Sequence, residues 1–167
     1  MKIFLTGLMG SGKSHYGEIL AKTLEIPFVD LDKVIEKREQ SSIASIFEKK
    51  GESGFREIET KVLQSFDYPE NCIIACGGGT IITPENLSFI KKHGKIIFLF
   101  PPFRVVAERL KKEKEDRPLL KNIPEENFEQ KLKELLEKRL PFYRQADLVI
   151  DPTGISPEDL PKWLKNL

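Results

Sequence analysis

Only two of the 167 residues are cysteine, and the chain has no run of about 18 apolar residues. The second absence excludes a transmembrane helix. Cys72 and Cys76 lie in or at the end of an apolar, strand-like run. Their offset on an extended strand spans roughly 13 Å, too far for a disulfide. They are expected as buried reduced thiols in a cytoplasmic protein. The N-terminus runs directly into a strand-like stretch, without a charged segment followed by an apolar signal region. Charge of one sign is also missing: 27 Lys and Arg against 26 Asp and Glu leave +1. Broad attraction to nucleic acid or to a membrane surface is therefore not expected. No cluster of histidine, cysteine and carboxylate has ligand spacing, so structural zinc is not supported. Repeats and low-complexity tracts are absent too. What is present is 40% hydrophobic content in a length suited to one well-buried core, so residues 1–167 are read as a single domain.

The most informative stretch is Gly7-Leu8-Met9-Gly10-Ser11-Gly12-Lys13-Ser14, which follows the apolar Ile3-Phe4-Leu5-Thr6. Its spacing is that of a P-loop. Gly7, Gly10 and Gly12 let the backbone wrap closely around phosphate with its N–H groups turned inward. A helix beginning at Lys13 would point its positive end at the same anion. The Lys13 ammonium can reach the outer phosphates, and the Ser14 hydroxyl can ligate one Mg2+. A bare glycine turn between a strand and a helix needs neither lysine nor serine in register. The pattern implies a nucleoside triphosphate.

The rest of the chain alternates. Strands are expected over Lys2–Thr6, 26–29, 71–75, 95–100 and Leu148–Ile150. Helices are expected over Lys13–Leu24, 33–40, 43–50, 52–66, Pro84–His93, 102–112, 126–140 and 157–164. Ser41-Ser42 and Gly51 break the helical segment that follows the second strand, and Pro141 is expected to end or kink its helix. Residues 112–124 are charged, contain proline and lack periodicity, and they have the length of a functional lid. The order implies an α/β fold of three layers around a five-stranded parallel sheet. Ligands gather outside the carboxyl ends of such strands.

Several residues at those ends have two readings. Asp30 and Asp32 close the second strand, where period-2 alternation would aim both at the phosphate edge. One can hold a water of the magnesium shell and the other accept a bond from an acceptor hydroxyl, or the pair can cap the next helix. Arg56 and Glu59 share a helix face, as a carboxylate clamp with its orienter or as a solvated ion pair. Gly77-Gly78-Gly79 suggests close approach of a ligand to the backbone. Arg117, in the lid, can offset charge during phosphoryl transfer or simply be an exposed loop arginine. From pattern alone Arg109 and Arg139 read as solvated helix residues, and His15 as an early helix residue near phosphate.

Taken together, these motifs resemble shikimate kinase, a family of small P-loop kinases of the nucleoside-monophosphate-kinase type. The resemblance runs in order through Gly7 to Ser14, Asp30-Leu31-Asp32, Phe55-Arg56 with Glu59, Gly77-Gly78-Gly79, Arg117-Pro118-Leu119-Leu120, and Arg139 followed by Tyr143. It implies ATP-dependent phosphorylation of the shikimate 3-hydroxyl on the way to chorismate, by a cytoplasmic monomer. The segment over 31–66 would bind substrate. By that comparison Arg56, Arg139, Gly78 and Gly79 would hold shikimate, and Asp32 would act as general base or orienter. Gly10, Ser11, Gly12, Lys13, Ser14 and His15 would cradle the phosphates of ATP. Lys13 and Arg117 would stabilise the transferring group, Arg109 would stack near adenine, and Asp30 would meet magnesium through water. His15 stands where threonine is usual. A gluconate kinase of the same fold is the nearest rival. A catalytically idle nucleotide-binding module would be expected to have lost Lys13, Asp32 or Arg117, and all three are present.

Overall fold

The computed structural model describes residues 1–166. Five strands, β1 (Lys2–Thr6), β2 (Phe28–Asp30), β3 (Cys72–Ala75), β4 (Lys95–Leu99) and β5 (Leu148–Ile150), form one sheet in the order β2-β3-β1-β4-β5. Every neighbouring pair is parallel. The helices are α1 (Lys13–Leu24), α2 (Leu31–Glu39), α3 (Ile43–Ser65), α4 (Pro84–His93), α5 (Phe103–Lys112) and α6 (Phe128–Tyr143). β1, β3 and β4 are almost uninterrupted runs of buried apolar residues, as a sheet covered on both faces requires. One face packs Leu20 and Ala21 of α1 on Leu5, Ile73 and Ile97. The other packs Leu31, Leu63 and Ile90 on Phe4, Ile74 and Phe98, with Tyr143 of α6 beside them. A third cluster, Leu8, Leu110, Leu120, Phe128 and Leu132, ties the P-loop to α5, α6 and the segment between them.

The expected three-layer parallel fold is present, with four local differences. β2 starts at Phe28, not at Ile26, because Ile26 donates its N–H back to Ala21 of α1 and Pro27 has none to give. α2 begins directly at Leu31, so Asp32 sits in a helical turn and the strand alternation does not apply to it. α6 runs through Pro141 to Tyr143. The proline is exposed and forfeits one backbone bond, while Tyr143 just beyond it is fully buried. The segment at Pro157–Asn166 is 3-10 helix, not α-helix; Pro161 inside it cannot donate an i→i−4 bond. The break at Gly51 is present, with φ 68° kinking α3 between two helical halves. The 112–124 segment carries more local structure than its composition suggests: a 3-10 turn at Lys114–Asp116, and Leu120 fully buried as an anchor.

Candidate active site

Two adjoining cavities open at the carboxyl ends of the strands. The larger, about 480 Å³, is floored by Gly10, Gly12, Lys13 and Ser14. The smaller, about 70 Å³, is lined by Arg56, Glu59, Gly79 and Arg139 with Ile43, Phe47 and Phe55. Met9, Asp32, Gly77, Gly78 and Arg117 line both.

In the larger cavity Gly12 caps α1 with φ 92°, and the helix starts at Lys13 with its free N–H groups facing the space. Lys13 Nζ donates to the Gly7 and Leu8 carbonyls at 2.9 and 3.0 Å. Burial pushes its ammonium down to about 8, with Asp32 opposing the shift. Ser14 Oγ donates to Asp30 Oδ2 at 2.7 Å. Asp30 also accepts from the N–H groups of Asp32 and Lys33, so it caps α2 and faces Ser14 at once. The two readings of Asp30 are compatible. A hydroxyl and a carboxylate side by side are hard oxygen donors, and they fit magnesium carried in on a phosphate chain. His15, Tyr16 and Arg109 line the outer part, with Arg109 Nη1 on the Gly10 carbonyl at 3.1 Å. Ser11 does not line the cavity. Its hydroxyl is buried without a partner among the described residues, and its backbone N–H donates to the Leu8 carbonyl.

In the smaller cavity Arg56 is fixed by two carboxylates, Nη1 to Glu59 Oε2 at 2.7 Å and Nη2 to Glu52 Oε1 at 3.3 Å. Its buried Nε has no hydrogen-bond partner among the described residues. The guanidinium also lies 5.2 Å from the Phe55 ring. Burial alone would ease its proton off, but Glu59 and Glu52 hold it cationic. Glu59 is fully buried and receives the Thr80 hydroxyl at 2.6 Å on its other oxygen. Arg139 is buried, and its Nη1 donates to the Gly78 carbonyl at 2.9 Å, alongside the Tyr143 hydroxyl on the same oxygen. The solvated-face reading of Arg139 is therefore wrong in this fold, and so is the exposed ion-pair reading of Arg56.

The glycine run follows from this crowding. A Cβ on Gly77 would stand 2.8 Å from Glu59 Oε1 and 3.0 Å from Asp32 Oδ1; one on Gly79 would overlap the Arg56 guanidinium. Asp32 stands at the junction of the cavities. Burial first, then the charges of Glu59 and Asp30, push its carboxyl up to about 6, with Lys13 and Arg117 pulling the other way. Arg117 faces the same junction and gives Nε and Nη2 to Glu113 Oε2 at 3.2 and 2.6 Å. Cys72 and Cys76 are free and buried, and burial raises both thiols. Thr80, Glu52 and Glu113 were not singled out from the sequence. Glu52 and Glu113 stand four residues before Arg56 and Arg117, a spacing the sequence does show; Thr80 meets Glu59 only once α3 and the glycine run are folded.

The family model described as shikimate kinase matches residues 9–166 of the chain. The shikimate kinase of Thermodesulfovibrio yellowstonii is 44% identical over 95% of this chain and 89% of its own. The structure of the shikimate kinase from Acinetobacter baumannii in complex with shikimate aligns with TM-score 0.86 at 38% identity, over 98% of this chain and 90% of that one. A gluconokinase from Sinorhizobium meliloti shares the fold alone, at 16% identity and TM-score 0.52, over 99% and 87% of the two chains. The chain belongs to the shikimate kinase family.

Proposed function

We propose that this chain transfers the γ-phosphoryl group of ATP to the 3-hydroxyl of shikimate, giving shikimate 3-phosphate and ADP. The observation that carries the reading is the wall shared by the two cavities. Asp32 and Arg117 line both, so a proton acceptor and a cation stand where a hydroxyl from one side and a phosphoryl group from the other would meet.

The larger cavity takes ATP, its phosphates on the P-loop and its adenine toward Arg109. The smaller takes shikimate, its carboxylate on Arg56 and Arg139, which both line it. Above pH of about 6 Asp32 is a carboxylate and accepts the proton of the attacking hydroxyl. That oxygen forms its bond to the γ-phosphorus as the bond to the ADP oxygen breaks. Lys13 and Arg117 meet the charge on the transferring oxygens. Ser14, and Asp30 through water, would hold magnesium, which when bound offsets charge on the outer phosphates. Residues 112–124 would close over the reactants and exclude water, pivoting about the buried Leu120. Residues 1–167 act as one kinase domain and as a monomer in the cytoplasm. Among the described residues no helix is long and apolar enough to cross a membrane.

A coupled ADP-release assay with MgATP and shikimate, quinate, gluconate and a nucleoside monophosphate tests the reading. Turnover with shikimate alone is expected. Turnover with another acceptor alone would keep the ATP site and refute the acceptor assignment.

A further inference from the structure

Glu113 is a charged group at the cleft that the transfer chemistry above does not use. It follows the last residue of α5, with φ −105° and ψ 8°, and lines the larger cavity. Arg117 commits Nε and Nη2 to a single oxygen of Glu113, at 3.2 and 2.6 Å. Those two donors form the guanidinium edge that a phosphate takes in a bidentate grip. The Arg117 backbone is fixed on both sides. Its N–H donates to the Lys114 carbonyl at 3.2 Å, and its own carbonyl accepts from Leu120 and Lys121 at 2.8 and 3.0 Å. Leu120 is fully buried. The main chain of Arg117 is thus anchored while its side chain can change partner. Both side chains are 40–45% exposed, so their pairing belongs to the weak, solvent-screened class. A phosphate chain carries more charge and more acceptor oxygens than one carboxylate, and it wins that exchange.

We propose that Glu113 is a positioning residue: a resident carboxylate that keeps Arg117 aimed along the cleft wall until the outer phosphates of ATP displace it. The proposal rests on the assignment of Arg117 to the phosphates. It has a consequence for binding. Part of the attraction between Arg117 and ATP goes into releasing Glu113, so the nucleotide binds less tightly than the same cleft would allow.

The test is a mutant cycle read by calorimetric MgATP binding and by steady-state kinetics. Glu113→Gln keeps size and an acceptor oxygen and removes the charge. Its dissociation constant for MgATP is expected about two- to fivefold lower, the range for an exposed ion pair. KM for ATP should fall with it while kcat does not rise. In an Arg117→Gln background the same substitution should change nothing. Equal tightening in both backgrounds would mean that Glu113 acts by its charge alone, and the proposal fails. Unchanged or weaker binding in Glu113→Gln also overturns it. If Arg117→Gln by itself alters neither ATP affinity nor kcat, the assignment of Arg117 fails, and the role of Glu113 falls with it.

Discussion

Replacing Asp32 with asparagine should disable the enzyme and make it more stable, and the two effects have one cause. The Asp32 carboxyl is moved from 3.8 to about 6, by burial first and then by the charges of Glu59 and Asp30. The folded chain therefore holds this proton more tightly than the unfolded one. The carboxyl costs no stability well below pH 3.8, where both states are protonated. The cost grows as pH rises through the window between the two values and is complete above about 6. A shift of about two units corresponds to roughly 3 kcal/mol. Two effects reduce it. Asp32 lies in the first turn of α2, where a negative charge gains about 0.3–1 kcal/mol from the helix dipole. It also borders an open cleft, so solvent screens part of the repulsion. A net gain of about 1–2 kcal/mol remains for Asp32→Asn at pH 8, or about 2–8 °C in Tm for a chain of this size. Calorimetry at pH 8 and at about pH 3 checks it: the gain should be present at the first and nearly absent at the second. The coupled assay should show a large loss of kcat with MgATP affinity nearly unchanged. A variant no more stable than the parent at pH 8 would refute the electrostatic argument. One with full turnover would remove Asp32 from the chemistry.

Two further substitutions address the acceptor side. Arg56→Ala should weaken shikimate binding by about 2–5 kcal/mol if the guanidinium meets the substrate carboxylate out of water. A loss within about 0.5 kcal/mol, measured by titration, would leave Arg56 as an ion-pair residue only. Gly79→Ala places a methyl group within 2.6 Å of Arg56 Nη1, and only the flexible end of the arginine can yield. KM for shikimate should rise about tenfold or more, equivalent to about 1.4 kcal/mol, with MgATP binding intact. An unchanged KM would show that the clamp does not need its present position.

Sequence carried a great deal of this site, for physical reasons that vary by residue. The P-loop is legible because phosphate binding by backbone needs glycine at fixed places within eight consecutive residues. The parallel sheet is legible because strands buried on both faces must be apolar throughout. From pattern alone Arg139 was not, because its burial is decided by a carbonyl 61 residues away in the chain, while Glu137 and Lys138 beside it on α6 are charged and exposed; the family resemblance is what named it. Asp32 was placed on the right edge by the wrong route. Strand alternation would have aimed it there, but Asp30 starts α2 by capping it, and the first helical turn carries Asp32 to the cleft. The extension of α6 past Pro141 was hidden for a similar reason: local propensity forbids it, and the burial of Tyr143 against Phe98 outweighs the lost bond.

Glu59 explains why these pieces must occur together. A fully buried carboxylate is costly unless its oxygens are satisfied. Arg56 takes one oxygen and Thr80 the other, so the charge can stay. Its other effect reaches Asp32. The Asp32 and Glu59 oxygens that flank Gly77 are within 5.8 Å of each other, the sum of their distances to a Cβ placed there. At that range a like charge raises a neighbouring carboxyl. The residue that orients Arg56, proposed for the substrate carboxylate, thus also makes Asp32, the proposed proton acceptor, more basic. Both effects need the arginine, the acids and the backbone to approach more closely than side chains on the connecting loop would permit. A chain with this clamp and this base therefore has to pass between them as glycine, which is what Gly77, Gly78 and Gly79 are.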